Sequence, residues 1–294
     1  MSVLVLGATG MAGRAFCRSL DSKAYQVTGV ARTGSDIDAD ISDESSLLSV
    51  LSSGSFDAII NAAALVDIAA CNEDPLAGWM INTAPLATLA NWSQEFDIPL
   101  LHISTDHYYP YGDDSAHSEE DPVFFLNGYA RQKYAAEALA LASSNALVLR
   151  TSILGQQGPG GKGLVQWATG ALLEGKELTV FCDSWTSSLE VHSFANSACT
   201  LFFDQCVRGL LNLASSEVYS KEALIRELAN RLDVPQSNLV SASIKKILPN
   251  RPHCLGLDVS KTERLLGHSL PNMIETIDQL MEKSIFSKKD YAVH

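Results

Sequence analysis

The chain has 294 residues, 46% of them hydrophobic and 19% charged, which suits one large or two modest domains with a substantial core. A formal charge of −13 argues against a general binder of nucleic acid or anionic membrane, because phosphates reward clustered Lys and Arg. Six scattered cysteines make no C-x-x-C pair, the start lacks a basic signal-peptide head, and no stretch approaches the ~20 apolar residues of a membrane span; a cytoplasmic protein with free thiols is expected.

In the first half, short apolar runs alternate with helix-length patterns. Ser2–Leu6, Gln26–Val30, Ala58–Asn61, Leu100–Ser104 and Ala146–Arg150 read as strands, and Met11–Leu20, Ser45–Leu51, Pro75–Phe96 and Tyr129–Ala142 as helices. Near-continuous apolar strands between helices predict a parallel sheet covered on both faces. The fold class is therefore α/β, a Rossmann-type doubly wound parallel sheet whose ligand crevice lies at the carboxyl ends of the strands. After Arg150 the order changes to a Gly-rich segment (Gly155–Gly163), a helix, a strand at Glu177–Phe181, a helix at His192–Cys206, a strand at Gly209–Leu213, and helices at Lys221–Leu232 and Met273–Lys283. This predicts an NAD(P)-binding Rossmann domain over 1–150 and a smaller substrate-binding lobe over 151–294, partly interleaved with the sheet. The polar tail Ser284–His294 is expected to be disordered.

Gly7-x-x-Gly10-x-x-Gly13 follows the first strand and opens the first helix. Glycines in that setting permit a tight turn and let backbone approach a pyrophosphate at the positive end of the helix. Thr9 and Met11 of the same turn join Gly7, Gly10 and Gly13 as expected cofactor contacts. The second strand ends in Ala31-Arg32-Thr33, where an NAD enzyme usually carries an acidic residue for the ribose. Arg32 suits a 2′-phosphate by forked, charge-assisted bonds, so NADPH is the expected cofactor and NADH the alternative. Asp40 and Ile41 are placed against the adenine, and the small residues Ala62, Ala63 and Ala64 leave room for a cofactor crossing the strand tips.

Tyr129 and Lys133 stand four apart on a predicted helix and share a face. A phenol with a pKa near ~10 is a poor acid-base group at neutral pH, and a neighbouring ammonium lowers that value. Ser104 and Thr105 at a strand end supply hydroxyls for a carbonyl oxygen. Together these predict a nicotinamide-dependent carbonyl reductase in which Tyr129 donates a proton as hydride arrives, and Lys133 holds the cofactor ribose.

These residues resemble an extended short-chain dehydrogenase/reductase, and in particular the dTDP-4-dehydrorhamnose reductase family of sugar-nucleotide reductases. The resemblance covers nearly the whole chain: Asn61 to Ala64, Cys71, Pro75, Asn82, Ser104-Thr105-Asp106, Asn127, Tyr129, Lys133, Glu137, Arg150-Thr151-Ser152, Arg251-Pro252, Leu257-Asp258 and Lys261. It implies NAD(P)H-dependent reduction of the 4-keto group of a nucleotide-linked 6-deoxysugar, with Thr105, Tyr129 and Lys133 as the catalytic set. It also implies Arg251 near the nucleotide-sugar, with Lys162 of the Gly-rich segment facing it; Asp106 and His107, which follow Thr105, are read as substrate contacts beside them.

The chain departs from the family pattern at His107-Tyr108-Tyr109 after the S-T-D, and at Ile153, Leu255, Ala69 and Asn72, all read as substrate-side positions. Ala15 stands where some relatives use an acidic residue to place magnesium at a dimer interface, so no metal is expected, and the chain is read as a monomer or homodimer. Two rivals stay open: a sugar-nucleotide epimerase or dehydratase with bound NAD(P), and a non-catalytic NADP-binding regulatory subunit. Among the remaining residues, His102 reads as a packed strand residue with no second base beside it, His107 and Tyr108 each as a pocket or loop contact, Ser118–Pro122 as a solvated loop, and Trp79, Trp92, Trp167 and Trp185 as core.

Overall fold

The computed structural model describes residues 1–155, 163–248 and 251–282; Lys162, Lys283 and the tail Ser284–His294 lie outside the described residues. The first half runs β1 (Ser2–Leu6), α1 (Met11–Ser22), β2 (Gln26–Ala31), β3 (Ile37–Asp38), α2 (Glu44–Ser52), β4 (Ala58–Asn61), α3 (Ile68–Glu73), α4 (Pro75–Asn82), α5 (Ala84–Glu95), β5 (Leu100–Ile103), α6 (Gly128–Ala140) and β6 (Ala146–Arg150). There follow β7 (Ile153–Leu154), α7 (Leu164–Leu173), β8 (Leu178–Phe181), β9 (Trp185–Thr186), β10 (Leu189–Glu190), α8 (Val191–Cys199), β11 (Gly209–Asn212), β12 (Tyr219–Ser220), α9 (Lys221–Arg231), β13 (Leu239–Ala242), α10 (Ile244–Ile247), β14 (Cys254–Leu255), α11 (Ser260–Leu266) and α12 (Met273–Glu282).

Seven parallel strands form the central sheet in the order β11-β6-β5-β4-β1-β2-β3. The chain winds outward from β1 in one direction and from β4 in the other, so the order reverses between these two strands. Val3–Leu6 are fully buried, because helices cover both faces of a parallel sheet and an inner strand is then mostly apolar. On one face α1 packs against α8, with the Phe16 and Phe194 rings edge to face at 5.9 Å. Burial of such a ring contributes ~1.5–3 kcal/mol.

The predicted helix over Pro75–Phe96 is two helices, α4 and α5, broken at Thr83. Pro85 lacks the N–H that a continuous helix needs and sits in the first turn of α5 instead. Thr83 closes the gap by donating from its hydroxyl to Gln132 O. The predicted helix from His192 becomes α8 followed by a π-helical turn, Thr200–Asp204. Residue 150 is not a spatial boundary, since β11 completes the central sheet beside β6 and α8 lies on α1. A separate apolar cluster, drawn from α7, β8, α9 and α12, gives the later part of the chain its own core. No helix among the described residues is long and apolar enough to cross a membrane.

Candidate active site

The reversal between β1 and β4 places two loops at the carboxyl edge of the sheet. Parallel register sets Leu6 beside Asn61, which brings the Gly7 turn against Ala62 and Ala63. Gly7 has φ +79°, and a Cβ there would lie 2.7 Å from Ala63 backbone; at Gly13 it would lie 2.1 Å from Gly7 O. Only glycine fits either place. Gly10 caps α1 without a side-chain bond, and no acidic residue occupies the first turn of that helix. Its open N–H groups and positive helix end suit a pyrophosphate. The donor set of the cleft thus fits a nicotinamide dinucleotide.

Two clefts meet at Thr9, Gly10 and Ala62–Ala64. The larger, about 660 Å³, runs past Met11 to Thr105, Asp106, His107, Tyr129 and Lys133. The smaller, about 270 Å³, is bordered by Gly7, Arg32, Asp40 and Ile41. Ser42 bonds hold the Asp40 carboxyl below its ordinary range, with Arg32 adding to the effect. The path therefore has a cationic arginine at one end and a cluster of hydroxyls at the other.

Asn127 starts α6 by accepting from Ala130 N at 2.8 Å. Tyr129, Lys133 and Glu137 then follow at four-residue intervals, all buried. The Thr105 hydroxyl faces the Tyr129 phenol, but burial, with the Asp106 carboxylate adding to it, keeps that phenol well above its ordinary pKa. Lys133 does not relieve it: the amine is 3.1 Å from His102 Nε2 and 2.7 Å from Ile103 O. Burial lowers Lys133 to about 8, while Glu137 acts in the opposite sense. The expected lowering of the phenol by its lysine is thus corrected, because the strand behind the helix holds the lysine nitrogen at His102 and Ile103. The Tyr129 phenol therefore keeps its proton at neutral pH.

On the other side of Thr105, burial pushes the Asp106 carboxyl up to about 7, against the pull of Lys221. Burial, then the Lys221 and Arg251 charges, push His107 down to about 3. At neutral pH His107 is a neutral ring, set edge to face with Tyr129 at 5.7 Å. Asp106 Oδ2 and His107 Nδ1 are buried without a hydrogen-bond partner. Unpaired buried polar atoms beside a cleft are ready partners for a polyhydroxylated ligand. Arg251 acts here through its field; it is itself exposed.

The model of the RmlD substrate binding domain family matches residues 1–285. The chain belongs to this family. Among its relatives, the probable low-salt glycan biosynthesis reductase of Haloferax volcanii is 26% identical, covering 95% of this chain and 97% of the relative. The dTDP-4-dehydrorhamnose reductase of Escherichia coli is also 26% identical, over 92% of this chain and 94% of its own length. The fold is that of the Bacillus anthracis dTDP-4-dehydrorhamnose reductase in complex with NADP, with a TM-score of 0.86 at 20% identity over 96% of this chain and 99% of that one.

Several family positions take places that differ from their sequence reading. Tyr108 is fully buried, its hydroxyl 3.0 Å from Ser104 Oγ and its ring under Arg150, so it supports the site from behind while His107 lines the cleft. Asn72 accepts from Gly128 N at 2.8 Å and so braces the start of α6. Leu255 is buried in β14, and of the substituted positions Ile153 does reach the cleft. Glu119 is not simply solvated, since it accepts from Asn212 N at 2.8 Å. Trp79 and Trp167 are surface residues, 43% and 50% exposed. His102 does have a second base beside it, Lys133. Arg14, Ser152 and Lys221 also border the site, although the sequence pattern gives none of them a role there. Arg14 follows the last glycine of the turn, a readable position; Lys221 meets Asp106 only through the tertiary fold.

Proposed function

We propose that this protein reduces the 4-keto group of a nucleotide-linked 6-deoxysugar, using NADPH. The observation that carries the reading is the shared cleft, with the Gly7–Gly13 turn and Arg32 at one end and the facing Thr105 and Tyr129 hydroxyls at the other. Residues 1–150 supply the cofactor turn and the proposed catalytic hydroxyls, and Ser152, Ile153, Lys221 and Arg251 of the later chain add to the substrate side. The reductase names of the relatives and the NADP complex of the Bacillus anthracis protein support it.

The Gly7–Gly13 turn and Arg32 would hold NADPH, which when bound would supply the hydride for the C4 carbon. Thr105 and Tyr129 hydrogen-bond the keto oxygen, and Tyr129 transfers its phenolic proton to that oxygen, so the carbonyl becomes an alcohol. The raised phenol suits this direction, because the proton stays on Tyr129 until negative charge develops on the substrate. Asp106 and neutral His107 orient sugar hydroxyls, while Lys221 and Arg251 bring positive charge toward the nucleotide phosphates. A cytoplasmic monomer or homodimer would serve.

The test is NADPH oxidation by the purified protein against a panel of nucleotide-linked 4-keto sugars. Stoichiometric oxidation with alcohol product is expected. Turnover with no net oxidation would instead assign an epimerase or dehydratase, and NADP binding without turnover on any sugar would assign a regulatory subunit.

A further inference from the structure

Asn61 ends β4, and the sheet register sets it beside His102 of β5. Lys133 reaches the same imidazole from α6. All three are buried, with exposures of 1%, 0% and 1%. Asn61 Nδ2 lies 3.3 Å from His102 Nδ1, and Lys133 Nζ lies 3.1 Å from Nε2. The orientation of the asparagine follows from its other end, where Oδ1 accepts from Ala63 N at 3.2 Å.

This arrangement allows one distribution of protons. An amide NH2 can only donate, so Nδ1 must be the bare nitrogen of the ring. A neutral imidazole then carries its hydrogen on Nε2, aimed at Lys133 Nζ. An ammonium has no lone pair to accept it, whereas an amine does, and the amine keeps an N–H for Ile103 O at 2.7 Å. An ammonium can donate into Nε2 only if the ring hydrogen moves to Nδ1. Asn61 would then face N–H with N–H, or turn over and lose Ala63.

We propose that His102, oriented by Asn61, is a positioning residue that holds down the proton affinity of Lys133 and couples its protonation to the imidazole tautomer. The inference rests on the reductase reading above, since it concerns the lysine beside the proposed proton donor. Burial supports it by keeping His102 well below its ordinary range and therefore neutral. The other ionisable groups around Lys133 are Tyr129 and Glu137 on its own helix, and Glu137 is neutralised by Arg150 of β6. None of them demands a lone pair on the amine; His102 does.

The experiment follows the ring nitrogens of isotope-labelled histidine, and the side-chain carbon of labelled Lys133, across neutral to alkaline pH in the full chain with and without NADP. When Lys133 is an amine, His102 should show Nε2–H and bare Nδ1; as the lysine gains its proton, the pattern should invert. In Asn61→Asp the new carboxylate accepts from Nδ1–H and leaves Nε2 free for the ammonium. That variant should hold the inverted tautomer at every pH and raise the Lys133 midpoint by about one unit or more. Should it fail to fold, His102→Gln offers an amide oxygen to the ammonium and is expected to raise the midpoint in the same sense. A single unchanging tautomer in the parent, or a midpoint unmoved by the variant that folds, overturns the inference. Normal sugar reduction with a static tautomer defeats it alone, whereas tautomer inversion in a protein that reduces no sugar defeats only the reaction.

Discussion

Arg150 and Glu137 form a forked ion pair inside the protein, with Nε 3.0 and 3.2 Å from the two carboxylate oxygens and Nη2 2.8 Å from Oε2. Both side chains are 3% exposed. Glu137 also accepts from Ser104 at 2.5 Å, so the pair ties the helix of Tyr129 to the strand end that carries Thr105. Removing one partner of such a pair strands the other charge. Glu137→Ala is expected to lower stability by ~3–5 kcal/mol in urea unfolding. Combining Glu137→Leu with Arg150→Met should recover most of that loss, because no unpaired charge remains. A single variant as stable as the parent would show that water reaches the pair.

Tyr129→Phe removes one oxygen and leaves the packing nearly unchanged. Loss of a general acid should cut kcat by ~10²-fold or more. Binding of NADP, measured by calorimetry, should change little, since Tyr129 stands at the far end of the cleft from the glycine turn. Near-normal turnover would place the proton donor elsewhere.

Arg32→Ala tests the adenosine end. A charge-assisted bond to a 2′-phosphate is worth roughly 1.5–3 kcal/mol, so NADPH affinity should fall by about one to two decades with NADH affinity little changed. Equal affinities for both cofactors in the parent protein would mean that the arginine remains solvated.

Asp106 gives the fold a pH dependence whose sign runs against the usual carboxylate. Its folded value, about 7, lies above the ordinary 3.8, so the folded protein binds this proton more tightly than the unfolded chain. Its contribution to stability is therefore full below the ordinary value and is lost as pH rises toward the folded one. Across that window the loss amounts to ~1.4 kcal/mol for each pH unit. Asp106→Asn should flatten the stability profile over the same range. An identical profile in the variant would mean that the folded carboxyl titrates as an ordinary exposed one does.

The sheet was readable because each inner strand is buried on both faces and leaves an uninterrupted apolar run, as at Val3–Leu6. The glycine turn was readable too, since close backbone approach admits no other residue at Gly7 and Gly13. Side-chain pairing across the fold was not. The four-residue spacing of Tyr129 and Lys133 gives a common face but does not say where the lysine nitrogen turns, and His102, 31 residues earlier in the chain, meets it. Tyr108 and His107 are neighbours of equal polarity in sequence, yet the bend after Asp106 sends one into the core and the other to the cleft. The break at Thr83 had a local cue in Pro85, outweighed by the apolar pattern on either side.

The strand at Gly209–Asn212 closes the sheet by lying along β6, whose residues are all buried. A fragment ending at Arg150 would keep the whole glycine turn and both proposed catalytic hydroxyls, yet present Leu147, Val148 and Leu149 along a bare edge open to pairing with other chains. Exchange of halves between relatives at that point would therefore set one parent's β11 against the other's β6, and the workable crossovers lie in loops that keep these two strands from the same parent.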